Sequence, residues 1–499
     1  MKYNFDEIID RRGTGCVKWD SPCLVLGGFA TAPSPASPVL GGFATAPFPA
    51  SPVLGGSATE PSSHLPLIPL WVADMDFAVA PAIQEAVRRR AEHPVFGYTH
   101  VQPDYYDAVI SWFRRRHHWD IQREWILYTT GVVPAMSVAI KALTMPGERV
   151  LILSPDYNCF FSSIRNNGCE VAESRLLRFP RNNDQNLSRL LRFSRNNDQN
   201  LSCMSLCQSD EICQSDENTR FSIDWPDFEA QCADEKTTVF LLCNPHNPTG
   251  RVWTRDELQR MADICHKHHV RIVSDEIHCE LIMPGHTFVP MGTVDPEAII
   301  LNSPSKSFNI AGLQMANIIC QDAATRRRLD RAININEVCD VNPFAPEAVK
   351  AAYNDSEDWL DALNLYLWDN YTALCDFVAQ HLPQWHVMPL EGTYLVWVDV
   401  SAAIVPSGFA AGPSSTAPGA SVAGPAAIVP SGFAAGPSST VRFDSVETYC
   451  SHLLEHARVW LNPGTMYGPQ SGEGYLRINI ACPRSLLMEA LQRISMHSV

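Results

Sequence analysis

Short apolar runs alternate with amphipathic segments along most of the chain. Four of these runs predict buried strands, and they span residues 149–154, 237–243, 270–276 and 298–302. Apolar positions at helical spacing predict four helices, which span residues 81–93, 105–117, 131–143 and 255–268. Strands that alternate with helices are typical of an α/β protein with a mainly parallel sheet. In such sheets the functional residues lie in loops that follow the carboxyl ends of the strands.

The pattern changes after about residue 330. Two helices with acidic and aromatic faces are predicted over residues 345–352 and 358–381, and the apolar strands TYLVWVDV and YLRINIA follow them. Helices and strands that are segregated in this way are typical of a smaller α+β domain. We therefore expect three parts, an N-terminal arm over residues 1–66, a large domain over 67–330 and a small C-terminal domain over 331–499.

Three blocks of low-complexity sequence repeat internally. VLGG recurs every 14 residues in the first block, LLRF and NNDQNLS recur after 14 residues in the second, and AAIVPSGFAAGPSST recurs after 24 residues in the third. These blocks lack the apolar face that a solenoid repeat needs for stacking. We interpret them as insertions at surface loops, with interaction tails as the alternative. They cover about residues 21–64, 175–218 and 402–440.

Composition and charge narrow the possible partners. Hydrophobic residues make up 45% of the 499 residues, which is enough for a large core. The net charge of −16 argues against nucleic acid or an anionic membrane surface as the main partner. The sequence has no apolar run of membrane-spanning length and no signal peptide pattern, so we expect a cytoplasmic protein. The 16 cysteines show no metal-binding spacing, and no metal site is expected.

Reactive side chains follow or end several of the predicted strands. They lie in the segments NPHNPTG with Asn247, IVSDEIH with Asp275 and His278, SPSKSFN with Ser303, Ser305 and Lys306, and GYLRINIA with Arg477. A lysine with a lowered pKa can form an imine, a carboxylate can pair with a protonated pyridine nitrogen, and an arginine can bind a carboxylate. The turn at Gly131 and Val132 opens a helix whose first N–H groups can bind phosphate. Together these groups describe a pocket for pyridoxal phosphate that carries an amino acid.

At these motifs the chain resembles fold-type I pyridoxal phosphate enzymes of the class I/II aminotransferase superfamily, and within it the MalY/PatB branch of cystathionine β-lyases. The matching stretches include PLWVADMDF, VFGYT, TTGVVPAM, LCNPHNPTGRVWTRDEL, SDEIHCELI, SPSKSFNIAGLQ and GYLRINIACPR. They come from nearly all of the chain outside the three repeat blocks. The resemblance implies a large domain with a mainly parallel, seven-stranded sheet, a small α+β C-terminal domain and a homodimer.

The resemblance also implies roles for individual residues. Lys306 would bind the cofactor covalently and later move the substrate Cα proton, while Asp275 would hold the pyridine nitrogen protonated. Arg477 would bind the substrate α-carboxylate, Asn247 would contact the cofactor's 3-oxygen and help to place that carboxylate, and Tyr157 would stack on the pyridine ring. The phosphate would be held by Gly131, Val132, Ser303 and Ser305, and by Tyr98 from a neighbouring subunit.

Two positions depart from the superfamily pattern. His278 stands three residues after Asp275, where many members have tyrosine, so the contact with the cofactor's 3-oxygen is expected to be altered or lost. The alternative for His278 is a packed core residue. Gln314 stands eight residues after Lys306, where many members have arginine, which leaves the phosphate with one cation fewer.

The reaction implied by the resemblance is β-elimination on a cysteine thioether such as L-cystathionine, which yields a thiol, pyruvate and ammonia. A class I/II aminotransferase would use the same residues, so that activity stays open as an alternative. A regulatory protein that keeps pyridoxal phosphate as a structural ligand is a second alternative. Full cellular function in a Lys306→Ala variant would favour this last hypothesis.

Overall fold

The computed structural model describes residues 2–21, 65–178, 220–338, 340–404 and 443–498. The three predicted repeat insertions lie outside the described residues except at their edges. Among those edges, residues 175–178 belong to a strand and Ser401–Ala403 form a turn of 3-10 helix.

The strands and helices are numbered in chain order. The strands are β1 Ile68–Pro69, β2 Ile126–Thr129, β3 Arg149–Ser154, β4 Glu170–Arg178, β5 Phe221–Ile223, β6 Thr237–Cys243, β7 Arg271–Asp275, β8 Ile299–Asn302, β9 Ala316–Ile319, β10 His386–Val387, β11 Leu395–Asp399, β12 Val459–Trp460, β13 Asn462–Pro463 and β14 Tyr475–Asn479. The helices are α1 Val17–Asp20, α2 Pro81–Glu92, α3 Pro103–His117, α4 Val132–Leu143, α5 Asn158–Asn166, α6 Trp225–Cys232, α7 Arg255–Lys267, α8 Ala323–Ile335, α9 Ala345–Asp355, α10 Glu357–His381, α11 Val446–His452 and α12 Arg484–His497. Every helix and strand expected from the apolar pattern is present, with ends that differ by a few residues.

The large sheet has eight strands in the order β2-β9-β8-β7-β6-β3-β4-β5. Its central strands, from β8 to β4, pair in parallel, whereas β9 and β5 run antiparallel to their neighbours. The predicted mainly parallel sheet is thus confirmed, and β5 at one edge brings the expected seven strands to eight. Cys243 pairs with Asp275, and Asp275 with Leu301, so the carboxyl ends of β6, β7 and β8 lie side by side.

Both faces of this sheet are covered, which explains why its strands are apolar at nearly every position. Successive residues of a strand point to opposite faces. On β3, Leu151 packs into one buried cluster with residues of α3 and α7. The next residue, Ile152, packs into a second cluster with residues of α4, α5 and α8.

A second, antiparallel sheet has the order β10-β11-β14-β13. Its buried residues, such as Val396 and Ile478, belong to the same cluster as Leu151, so the two sheets share one core. In its centre Trp397 of β11 pairs with Arg477 of β14. A parallel pair, β1 with β12, joins the segment after the N-terminal arm to the C-terminal part of the chain.

The described ends of two gaps in the structure lie next to each other. Arg178 at the end of β4 pairs with Phe221 at the start of β5. Ile404 forms a parallel bridge with Phe443, whose N–H donates to the carbonyl of Ala403 at 3.2 Å. None of the described helices combines the length and apolar character that crossing a membrane requires.

Candidate active site

The predicted site residues meet at the carboxyl edge of the large sheet. Tyr157 follows β3, Asn247 follows β6, Asp275 ends β7 and Lys306 follows β8. Because these strands are parallel neighbours, their loops open at the same edge. The small sheet adds Arg477 from β14. A pocket is found there, lined by Trp71, Val72, Ala73, Tyr157, Asn158, Lys306, Asn462, Met466, Tyr467 and Arg477.

The Lys306 amine lies in a setting that disfavours its positive charge. Its Nζ donates to the carbonyl of Ala73 at 2.6 Å. Burial lowers the pKa of Lys306, the positive charge of Arg477 lowers it further, and the charges of Asp74 and Asp275 oppose that shift. A lowered pKa leaves more of the amine uncharged near neutral pH, and the uncharged form is the one that acts as a nucleophile or accepts a proton.

Asp275 is a buried carboxylate at the end of β7, with 4% of its surface exposed. Its Oδ1 accepts a hydrogen bond of 3.1 Å from the N–H of Ile277. Burial raises the pKa of Asp275 to about 7, and the bond from Ile277 and the charge of Lys306 act against that rise. A cation placed against this carboxylate would stabilise its ionised form.

Arg477 presents its guanidinium to the pocket while two neighbours fix its orientation. Its Nη2 donates to the carbonyl of Trp71 at 2.9 Å, and its Nη1 donates to Oδ1 of Asn247 at 3.2 Å. The guanidinium carbon lies 4.7 Å from the ring centre of Tyr467. The buried Nε has no hydrogen-bond partner among the described residues. This arrangement leaves a fixed cation with spare donor capacity for an anionic ligand.

Tyr157 lines the same pocket immediately before α5. Burial raises the pKa of its hydroxyl well above the usual value, and its nearby groups include Cys159, Arg477 and Asp275. The phenol therefore stays neutral, and its ring can serve as a flat apolar surface for a ligand.

The predicted phosphate residues form two local structures. Gly131 precedes α4, and Val132 begins it, so the unpaired N–H groups of the first turn lie at this helix end. Ser303 Oγ donates to the carbonyl of Met315 at 2.7 Å and accepts from the N–H of Ser305 at 3.1 Å. The Ser303 hydroxyl thus shapes the loop that carries Lys306, and phosphate binding by Ser303 and Ser305 stays a prediction.

His278 and Tyr98 differ sharply in their surroundings. His278 is buried, its ring packs edge-on against Tyr394 at 5.9 Å, and its Nδ1 has no hydrogen-bond partner within the described part of the chain. Burial and the charges of Lys306 and Arg477 lower the pKa of His278 well below its usual value, so the ring is neutral. Tyr98, by contrast, is fully exposed and does not line the pocket of this subunit.

Sequence reasoning missed several residues around the pocket. Ala73 contributes a backbone carbonyl, which leaves no trace in side-chain chemistry. Asp156 is fully buried, burial raises its pKa well above the usual value, and its Oδ2 has no hydrogen-bond partner among the residues described. A polar residue directly after a buried strand, as in SPDY, was the signal that could have identified Asp156.

Known proteins are similar to this chain in both sequence and fold. A family model described as aminotransferase class I and II matches residues 66–199 and 206–494. The cystathionine beta-lyase PatB of Bacillus subtilis (strain 168) is 32% identical over 431 residues, which cover 86% of this chain and 91% of PatB. Protein MalY of Escherichia coli (strain K12) is 28% identical over 488 residues, which cover 97% of this chain and 96% of MalY.

A solved structure supports the same conclusion at the level of the fold. Cystalysin from Treponema denticola, which contains a pyridoxal 5'-phosphate cofactor, superposes with a TM-score of 0.74 at 26% identity. The alignment covers 100% of this chain and 99% of cystalysin. The fold-type I architecture and the resemblance to the MalY/PatB branch are thereby confirmed. With the family model matching most of its length, the chain belongs to the aminotransferase class I and II family.

Proposed function

We propose that this protein is a pyridoxal phosphate-dependent carbon–sulfur β-lyase. Its substrates are cysteine thioethers such as L-cystathionine, and its products are a thiol, pyruvate and ammonia. The observation that carries the proposal is one pocket lined by Lys306 and Arg477, with the buried Asp275 close enough to influence Lys306, in a chain that is 32% identical to a cystathionine beta-lyase.

The pocket fits pyridoxal phosphate in its chemistry. Lys306 offers an amine of lowered pKa for covalent attachment. Asp275 is a buried carboxylate that needs a cationic partner, as a protonated pyridine nitrogen would be. Tyr157 offers a flat ring, and the start of α4 offers N–H groups for the phosphate.

The substrate carboxylate belongs at Arg477. That guanidinium is held by Asn247 and Trp71 and keeps an unpaired Nε, so binding a carboxylate costs little reorganisation. Asn247 in turn keeps the guanidinium plane aligned. Lys306 lines the same pocket, so a substrate held at Arg477 would have its Cα within the cavity that contains the amine.

Proton movement belongs to Lys306. Bound pyridoxal phosphate supplies an electron sink that accommodates the pair left when the Cα proton is removed. The neutral Lys306 amine takes up that proton, and the resulting ammonium can donate it to the leaving sulfur. Asp275 in its ionised form would hold the pyridine nitrogen of the bound cofactor protonated. His278 is packed against Tyr394 and neutral, so it would meet the cofactor only as an uncharged group.

We also propose a cytoplasmic homodimer. Val95, Phe96 and Tyr98 are apolar or aromatic side chains that lie largely exposed on one segment, as expected of a subunit contact. In a dimer, Tyr98 would reach the phosphate of the neighbouring site. The 16 cysteines of the sequence suit a reducing compartment.

The decisive experiment uses purified full-length protein with pyridoxal phosphate and L-cystathionine, and no 2-oxo acid. Thiol and pyruvate formed in equal amounts over many turnovers, with the cofactor's absorbance retained, would support the lyase. Conversion of the cofactor to its pyridoxamine form, with neither product, would overturn the proposal in favour of an aminotransferase. Lys306→Ala is the matched negative control.

A further inference from the structure

The segment Trp71–Asp76, here called the strap, lies between the N-terminal arm and the pocket. The backbone carbonyl of every residue from Trp71 to Met75 accepts a hydrogen bond from a side chain. Some of the donors belong to the pocket and others to the arm. The strap therefore contacts both the arm, residues 2–21, and the reacting side chains.

On the pocket side, the strap carbonyls accept hydrogen bonds from the two key side chains of the proposed mechanism, Arg477 and Lys306. The carbonyl of Trp71 accepts from Arg477 Nη2 at 2.9 Å and from Asn462 Nδ2 at 3.0 Å. The carbonyl of Ala73 accepts from Lys306 Nζ at 2.6 Å and from the hydroxyl of Tyr394 at 2.9 Å. A displacement of the strap would therefore move both acceptors away from their donors.

On the arm side, two cations clamp the strap. Arg11 binds Asp74 Oδ2 at 2.6 Å, Asp76 Oδ1 at 2.8 Å and the carbonyl of Met75 at 2.9 Å. Lys18 is fully buried, and its Nζ binds Asp76 Oδ2 at 2.7 Å and the carbonyl of Asp74 at 3.2 Å. Ion pairs that are buried and reinforced by several hydrogen bonds fix geometry far better than exposed pairs do.

Arg11 and Lys18 also affect the net charge beside Lys306, because both lie close to Asp74. Asp74 adjoins Ala73, and among the neighbouring charges it raises the pKa of Lys306 most strongly. Arg11 and Lys18 offset the charge of Asp74, with Lys18 Nζ lying 3.8 Å from its Oδ1. Other titratable or charged groups near the Lys306 amine among the described residues include Asp275, Cys159, His278, Arg477, Tyr157 and Tyr394.

We propose that Arg11 and Lys18 are positioning residues for the reaction: they fix the strap carbonyls that hold Lys306 and Arg477, and they offset the charge of Asp74 next to the Lys306 amine. This inference rests on the proposed function for its catalytic meaning. The claim that Arg11 and Lys18 offset the charge of Asp74 beside Lys306 concerns only side chains of this protein. It can therefore be tested without measuring catalysis.

The test compares Arg11→Ala with Asp74→Asn in the full chain. In cofactor-free protein, the rate at which acetic anhydride labels Lys306 is followed against pH by mass spectrometry of the peptide. Only the neutral amine reacts, so the midpoint reports its protonation. Arg11→Ala leaves Lys18 as the remaining partner of Asp74. We expect the labelling midpoint to move to higher pH, with about threefold slower labelling at pH 8. Asp74→Asn removes the opposing charge, so its midpoint moves to lower pH.

Two further variants distinguish an effect of charge on the protonation of Lys306 from a general loss of structure. Arg12→Ala is the matched control, because Arg12 is exposed and pairs with Asp10 at the surface, so the wild-type midpoint is expected. Arg11→Lys keeps the charge and should restore the midpoint. In turnover with cofactor, Arg11→Ala is expected to lose about tenfold in kcat/KM, with its alkaline pH profile displaced in the same direction as the labelling midpoint.

The inference would be supported if the labelling midpoint moves to higher pH in Arg11→Ala and to lower pH in Asp74→Asn. A merely structural role would not move the two midpoints in opposite directions. Equal midpoints in wild type and both variants would overturn it. If Arg11→Ala does not fold, the nearly isosteric Asp74→Asn decides alone, and a wild-type midpoint overturns the inference. Opposite shifts in a protein that makes no pyruvate would uphold the coupling and overturn the proposed function instead.

Discussion

Arg477 Nη1 and Asn247 Oδ1 are joined by a hydrogen bond of 3.2 Å. Arg477 lies on β14 of the small sheet, whereas Asn247 lies in the loop after β6 of the large sheet. The proposed carboxylate-binding cation is therefore aligned by a residue from the other sheet. Substrate binding should depend on how closely the two sheets are held together, as well as on charge.

Replacing Arg477 with lysine should impair binding of the substrate carboxylate. Lysine keeps the charge but loses the planar, two-pronged donor, so we expect KM for L-cystathionine to rise about 30-fold or more, with a smaller change in kcat. Steady-state kinetics would measure the changes in KM and kcat separately. Arg484→Lys is a suitable control, because Arg484 lies at the start of α12 and does not line the pocket. An unchanged KM in Arg477→Lys would contradict the assignment.

Replacing Asn247 with alanine should have a weaker effect of the same kind. The variant leaves Arg477 Nη1 without its side-chain acceptor, and loss of a hydrogen bond to a charged group costs about 1.5–3 kcal/mol. We expect kcat/KM to fall about tenfold or more. A double variant with Arg477→Lys should lose less than the sum of the two single losses, and strict additivity would show that the residues act independently.

Lys306→Ala should abolish elimination and covalent attachment of the cofactor. Removal of a residue that both anchors the cofactor and moves the proton is expected to lower kcat more than about a thousandfold. Borohydride treatment followed by mass spectrometry would show whether the cofactor is attached at position 306. The control is Lys350→Ala, because Lys350 pairs with Asp104 and Glu347 far from these contacts. Cofactor found attached to another lysine in the wild type would disprove the assignment.

Cofactor affinity should fall in acid because of Asp275. Its pKa is raised to about 7, so the carboxyl is ionised above that pH and neutral below it. The neutral form cannot pair with a protonated pyridine nitrogen, and we expect pyridoxal phosphate to bind about tenfold more weakly at pH 6 than at pH 8. Equilibrium binding followed by absorbance would measure this. Asp275→Asn should bind weakly at both pH values, and an equal pH dependence in that variant would assign the effect to another group.

Removing residues 405–442 should leave the enzyme folded and active. Ile404 and Phe443 already bridge each other in parallel, so a flexible linker of about a dozen residues, long enough for a parallel crossover, can replace the segment. We expect kcat/KM within about twofold of wild type and little change in Tm. A variant in which the order of residues 405–442 is shuffled should behave alike. Loss of folding in the deletion variant alone would show that this segment has a structural role.

Strong local patterns allowed much of the fold to be predicted from sequence. The four successive apolar residues of β3 and the capping box formed by Thr254 and Glu257 at the start of α7 are each signals within one short stretch. The strands β2 and β9 were missed because they pair with each other across a long sequence separation. Their identity as strands depends on partners that no local window contains.

In the site, too, local sequence patterns predicted some residues, whereas others depend on contacts between distant parts of the chain. Lys306, Asp275 and Arg477 could be selected because each carries distinctive chemistry at a strand or strand end. The strap could not, because Ala73 contributes a backbone carbonyl and because Arg11 contacts Asp74 across 63 positions of sequence. The two hydrogen bonds of the Ser303 hydroxyl were likewise invisible, since they depend on the path of the loop to Met315.

The pairing of Arg178 with Phe221 has a consequence for how this protein evolves. The strands β4 and β5 form the far edge of the large sheet, with β3 and β6 between them and Asp275 of β7. Residues 179–219 connect two neighbouring points of that edge, so a tandem duplication there lengthens the gene without altering the order of the inner strands. Selection on catalysis is nearly blind to such growth, and this edge is a place where new sequence can accumulate and later acquire a use.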